Sequence, residues 1–224
     1  AGVRSANKTF RNNAISFDVN AHGILNGQPK EYYTNLYTNE LRAYYHKDKN
    51  DREKFYFKDM YLRVLRALDY VKTLPEWDGK NLIVIGSSQG GAQAIVAAAL
   101  DPQVSLCLTG VPAMSDHSGN LLGRQSGWPR LFAAKNGKPV DPKVAEVSKY
   151  YDNVNFAKYI KAPVYMTVGM IDMTCVPTSV YAVFNNIPAG TEKHMTIFPT
   201  EGHVGKNPSG NRALNKILRP APGK

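Results

Sequence analysis

Several things are scarce in this chain, and each scarcity narrows what it can be. Cysteine occurs twice in 224 residues, at Cys107 and Cys175, too few for a disulfide framework. Cys107 sits in an apolar run, where a buried free thiol is the default, and the sequence does not decide whether the two pair. Long apolar runs are also missing. No stretch approaches the roughly 20 residues that cross a bilayer as a helix, so no membrane partner is expected. The amino terminus, AGVRSANKTF, lacks the apolar centre of a signal peptide, so an export signal has been removed or was never there. The compartment is left open among secreted, periplasmic and cytoplasmic. Internal repeats are absent, and no His or Cys group has metal-ligand spacing, so no metal or other cofactor is expected.

Charge excludes less. Lys and Arg number 28 against 18 Asp and Glu, a formal net charge of +10. The basic residues are spread through segments such as 42–58 and 130–143, with no dense run and no interleaved aromatics. That argues against a nucleic-acid partner and leaves an acidic polymer as the natural attraction. The length suits one domain, 1–224, with a substantial core.

What is present is organised around residues 80–100, KNLIVIGSSQGGAQAIVAAAL. Leu82-Ile83-Val84-Ile85 is a short β-branched run of the kind a strand buried on both faces shows. Residues 92–100 are an alanine-rich helix former. Between them, Gly86-Ser87-Ser88-Gln89-Gly90 matches G-x-S-x-G, the turn that projects a nucleophilic serine from strand to helix. The turn is sharp, so glycine is expected on both sides of Ser88 to avoid collisions with the neighbouring strand and helix. The motif alone is weak evidence; the strand before it and the helix after it give it weight.

Along the rest of the chain, residues 14–19 read as a strand followed by Asn20-Ala21-His22-Gly23. The tyrosine-rich segment 30–58 reads as an irregular excursion near the site. Tyr61, Val64, Leu65, Leu68 and Val71 share one helical face, stopped by Pro75. Residues 104–110 are a second buried strand. The segment 114–160 reads as an insertion over the site, with one helix capped by Asp141 and opened by Pro142. Residues 164–168 and 194–198 are further strands, 177–187 a helix, and 219–224 (RPAPGK) a tail or linker. Alternating strands and helices predict an α/β fold with a mostly parallel, doubly wound sheet flanked by helices.

In such a sheet, ligands bind beyond the carboxyl ends of the strands. Two loops there carry partners for Ser88: Asp172 after strand 164–168, and His203 after strand 194–198. The order Ser88, Asp172, His203 suits a triad in which His203 takes the serine proton and Asp172 fixes the imidazole. Asp172 has a plainer reading as a helix cap, and Asp116 and Asp152 are weaker rivals. His46 and His194 read as surface or strand residues. His22 and His117 follow strands and are expected to line the pocket, and Trp128 is a candidate sugar platform or merely a packed residue.

These motifs resemble the acetyl xylan esterase and cephalosporin C deacetylase family, carbohydrate esterase family seven, of the α/β-hydrolase fold. The resemblance runs from about Asp18 to His203 and rests on GSSQGG at 86–91, LDPQVSLCLTGVPAMSDH at 100–117, VGMIDMTCVPTSVYAVFNNI at 168–187 and EGH at 201–203. It implies Ser88 as nucleophile, Asp172 as acid, His203 as base and the Gln89 N–H as one oxyanion donor. The family's second donor comes from a loop before the first helix, usually at a tyrosine. Here the candidates are the backbone N–H groups of Ala1 and Gly2, and no tyrosine occurs there. The resemblance also implies about eight strands where five are legible, so the chain is expected to begin inside the domain, without its first strands. The activity implied is removal of acetyl groups from an acetylated oligosaccharide or polysaccharide, with a homo-oligomer among the options. The same triad also suits a feruloyl esterase or a peptidase, and a saccharide-binding module that keeps the fold without turnover is a rival from another class.

Overall fold

A computed structural model describes residues 14–132 and 141–218. Its centre is a parallel sheet of β1 (Leu82–Ser87), β2 (Val104–Gly110), β3 (Val164–Gly169) and β4 (Lys193–Phe198), hydrogen-bonded in the order β1-β2-β3-β4. Between these strands lie α3 (Gln89–Leu100), α5 (Asn153–Ala157) and α6 (Pro177–Asn186). Right-handed crossovers between sequential parallel strands place such helices on one face of the sheet. The main core agrees: Ile95, Ala157, Val180 and Val183 share it with Val84, Cys107, Val164, Met166 and Val168, and Val64 and Leu68 of α2 (Tyr56–Lys72) join them. The opposite face carries Leu106 and Leu108, covered by Leu214 of α7 (Pro208–Leu218).

A bulge sorts β2 between these faces. The register slips between Leu82 and Ile83, whose partners are Val104 and Leu106. Ser105 is left out of the ladder, and its hydroxyl accepts from the Leu82 N–H at 3.1 Å. The extra residue lets Val104 and Cys107 face the same core, which strict alternation forbids.

The segment 114–160 builds its own core. Met114, Leu131, Phe132, Val144, Val147 and Tyr151 pack on Phe57, Met60 and Tyr61 of α2 and on Val96 of α3. Its helix α4 (Pro142–Ser148) has the expected cap, Asp141 accepting from the Lys143 N–H at 2.9 Å. A second short helix, α5, is capped by Asp152 through the Val154 N–H at 2.9 Å.

Two sequence expectations fail. Residues 14–19 are exposed and lie outside every strand, so the described residues hold four strands rather than five. Among the described residues their apolar alternation has no neighbouring strand to pair with, and an unpaired ladder leaves backbone groups to water. Helix α2 begins at Tyr56, ahead of the periodic residues. Three α-helices, α1 (Lys30–Asn35), α5 and α7, were not anticipated, so the segment 30–58 is not irregular throughout. The tail 219–224 lies outside the described residues.

Candidate active site

Ser88 stands between the last residue of β1 and the first of α3 with φ 56° and ψ −120°. A side-chain-bearing residue rarely adopts this backbone, and it persists only where surroundings enforce it. The enforcement is visible. The Ser88 N–H donates to the Gly110 carbonyl at 2.8 Å, and the Ser88 carbonyl accepts from the N–H groups of Ala92 and Ala113, each at 3.0 Å.

The glycines around it are not equivalent. A β-carbon on Gly86 would lie 2.0 Å from the Gly90 carbonyl oxygen, a contact no side chain survives. A β-carbon on Gly90 would meet nothing within 4 Å. The second crowded position is Gly91, where it would sit 2.8 Å from the Gly110 oxygen and 2.9 Å from Thr109 Oγ1. The expectation of steric need on both sides of the serine is therefore corrected: Gly86 makes room for the turn, and Gly91 lets α3 lie close to β2.

Gln89 opens α3, so its N–H is among those without an intrahelical acceptor, next to the serine. Its side chain is held: Oε1 accepts from the Tyr44 hydroxyl, and Nε2 reaches Met60 Sδ at 3.4 Å. The excursion 30–58 thus does reach the site.

Asp172 and His203 meet as the chain order suggested. His203 Nδ1 lies 2.7 Å from Asp172 Oδ2. The other carboxylate oxygen accepts from the N–H groups of Thr174 at 2.7 Å and Cys175 at 3.0 Å. Asp172 is 1% exposed, and these bonds keep its carboxylate aimed. The two loops can approach because β3 ends in Gly169, where a β-carbon would lie 1.9 Å from the Gly202 carbonyl oxygen. Ile171 then donates its N–H to the Glu201 carbonyl at 3.2 Å, tying the aspartate loop to the histidine loop.

Cys175 completes the cluster, a residue that the sequence offers as a possible disulfide half and as part of the Asp172–Pro177 motif that carries the family resemblance. Both cysteines are free and buried. Burial first, and then the Asp172 charge, push the Cys175 pKa up to about 12, against smaller opposing influences from Ser88 and the Trp128 backbone. Ligand atoms of Asp172, Cys175 and His203 all lie within 4.8 Å of one another. Cys175 thus joins the Asp172–His203 pair in one cluster.

Beside Gln89 lies an aromatic group. Tyr44 packs against His22 with ring centroids 4.7 Å apart, against Tyr56 at 4.9 Å and against Trp128 at 6.2 Å. His22 Nδ1 is 2.9 Å from the Tyr56 hydroxyl, and burial, then the Arg63 charge, lower the His22 pKa. Trp128 is half-buried and packs on both main cores.

His117 departs from its expected place. It is 1% exposed, packs against Phe132, and neither ring nitrogen has a hydrogen-bond partner. Asp152, whose carboxylate accepts from the His117 and Asp116 N–H groups, fixes that loop from beneath. The ring is enclosed rather than presented to a substrate. The rival acids are occupied: Asp152 caps α5, and Asp116 pairs with Arg124 at 3.1 Å. His194 pairs with Glu192 and stacks on Tyr165. Ala1 and Gly2, the proposed second oxyanion donors, lie outside the described residues.

A parallel sheet with a serine on a strained strand-to-helix turn, and an Asp–His pair on later strand ends, defines the α/β-hydrolase class. Comparison with known proteins narrows it. The family model for acetyl xylan esterase (AXE1) matches residues 12–219, and the chain belongs to that family. It is 37% identical over 204 residues to the acetyl esterase Axe7A of Xylanibacter ruminicola, covering 88% of this chain and 46% of that protein. Among solved structures it is similar to acetyl xylan esterase 1 from Thermoanaerobacterium sp. JW/SL YS485, with TM-score 0.67, 27% identity, and coverage of 92% of this chain and 62% of that one. An acetyl xylan esterase from Paenibacillus sp. R4 gives TM-score 0.65 and 28% identity over 78% of this chain and 56% of that one. The chain spans about half the length of the curated relative it matches.

Proposed function

We propose that the chain is a serine carboxylesterase that removes acetyl groups from acetylated xylan or a related saccharide. The observation that carries this reading is the 2.7 Å contact between His203 and the buried Asp172, on loops that follow the strands beside a serine on a strained strand-to-helix turn. Asp172 holds Nδ1–H, which leaves Nε2 free to accept a proton. Ser88 Oγ attacks the acetyl carbonyl carbon as His203 takes its proton. The resulting oxyanion rests on the Gln89 N–H at the positive end of α3. Collapse breaks the ester bond, and His203 returns the proton to the departing sugar hydroxyl. Water, activated by the same histidine, then splits the acetyl-enzyme into acetate and free serine. The aromatic group of His22, Tyr44, Tyr56 and Trp128 beside Gln89 offers apolar faces of the kind sugar rings stack on.

The test measures acetate release from acetylated xylan and ferulate release from a feruloylated substrate, for the parent chain and Ser88→Ala. Acetate release by the parent alone supports the reading. Ferulate release in its place makes the chain a feruloyl esterase, and saccharide binding without release of either makes it a binding module.

A further inference from the structure

We propose that Cys175, Asp172 and His203 form a binding site for a soft divalent cation, zinc above all, and that its occupation switches the esterase off. The three residues come from two loops that the structure holds together, with ligand atoms within 4.8 Å of one another. A thiolate, an imidazole and a carboxylate form the donor set that zinc takes, and a tetrahedral ion with three protein ligands keeps a fourth position for water. Calcium and magnesium prefer all-oxygen sites and are not expected to compete.

The surroundings fit an ion entering from solvent. Asp172 and Cys175 are 1% and 0% exposed, while the His203 side chain is 37% exposed and forms the open wall. Loss of water from the two buried donors has already been met by the fold, and the Thr174 and Cys175 N–H groups keep the carboxylate oriented. Binding releases the thiol proton to solvent as the sulfur-to-metal bond forms. With an ion on His203 no ring nitrogen is left to accept the Ser88 proton: an ion on Nε2 takes that lone pair, and an ion on Nδ1 shifts the ring proton to Nε2. The inhibitory consequence rests on the esterase reading; the binding does not.

The experiment therefore reads binding directly. The parent chain is titrated with zinc chloride by calorimetry, and with cobalt(II) by absorption, which shows a charge-transfer band when a thiolate is a ligand. One zinc per chain and a thiolate band are expected. Cys175→Ser, which keeps the volume, and Cys175→Ala, which removes the sulfur altogether, should both lose the band. They should also bind zinc more weakly by more than the roughly 10–100-fold that loss of an outer-shell partner costs. Ser88→Ala should bind zinc as the parent does although it cannot turn over ester, which separates failure of the metal site from failure of the esterase reading. Circular dichroism identifies which of the two Cys175 variants is folded. Absence of binding by the parent, or unchanged zinc affinity in a folded Cys175 variant, overturns the proposal.

Discussion

The Tyr44 hydroxyl donates to the side-chain oxygen of Gln89, across 45 residues of sequence. Gln89 follows the serine directly, so a tyrosine in the segment 30–58 holds the residue whose N–H faces the reacting carbonyl in the proposed mechanism. Tyr44→Phe keeps the ring among its aromatic neighbours and removes only that bond. Loss of a hydrogen bond of about 1 kcal/mol is expected to lower kcat roughly fivefold with KM nearly unchanged. Steady-state kinetics on an acetylated sugar check it, and an unchanged kcat contradicts the positioning role.

The glycines flanking the serine should respond oppositely. Gly86→Ala drives a β-carbon into the Gly90 carbonyl, backbone against backbone. The expected loss is about 4 kcal/mol or more, or failure to fold. Gly90→Ala meets open space in the first turn of α3, where exchanging glycine for alanine is worth about 0.5–1 kcal/mol in favour of the helix. Denaturant midpoints of the two variants test the asymmetry, and equal destabilisation would refute it.

The two buried thiols predict an alkaline limit to stability. Burial pushes Cys107 up to about 12 from an ordinary 9.0, and burial with the Asp172 charge does the same for Cys175. Above the lower value the unfolded chain has released protons that the folded chain keeps, so rising pH favours unfolding. The expected slope is about 1.4 kcal/mol per pH unit for each thiol. Unfolding free energies measured from pH about 9 to about 10 should fall accordingly, and Cys107→Ala should reduce the slope by one thiol's share, with buried tyrosines such as Tyr44, Tyr61 and Tyr151 adding to what remains. Stability flat across this window contradicts the assignment.

His117 predicts the acid side. Burial lowers its pKa from 6.5 against the opposing pull of Asp152 and Asp116. Below about pH 6.5 the unfolded chain takes up a proton that the enclosed ring resists. The stability of the neutral ring is thus present above that pH and lost as pH falls through and below it. His22, lowered by burial and then by Arg63, acts in the same direction. His117→Phe removes two buried nitrogens that lack partners. It should leave stability at neutral pH unchanged or raised by about 1 kcal/mol, flatten the acid slope, and leave KM unchanged. A raised KM would restore His117 to the pocket wall.

What the sequence made legible follows from where its information is local. Ser88 was readable because a strand, a turn and a helix lie in one continuous run, and Asp172 and His203 because each follows a strand. The helix caps Asp141 and Pro142 were readable for the same reason. Contacts between distant segments were not: nothing near Tyr44 marks it as the partner of Gln89, and nothing near Gly169 marks the Gly202 carbonyl lying against it. Residues 14–19 misled because alternation records which faces differ, not whether a neighbouring strand exists. His117 misled because a histidine after a strand points equally well inward, here onto Phe132. Helix α7 went unread although Pro208 opens it and Leu214 and Leu218 share a face, a signal of the same kind as the one that revealed α6.

The measurement that tests the central claim most directly is covalent labelling with a fluorophosphonate, which reacts with a serine only when a base activates it. The parent chain should carry one adduct, mapped by peptide mass spectrometry to Ser88. Ser88→Ala should carry none, and His203→Ala should label far more slowly. An adduct on another residue, or equal labelling of the parent and His203→Ala, would contradict the account of Ser88, His203 and Asp172 as one working unit.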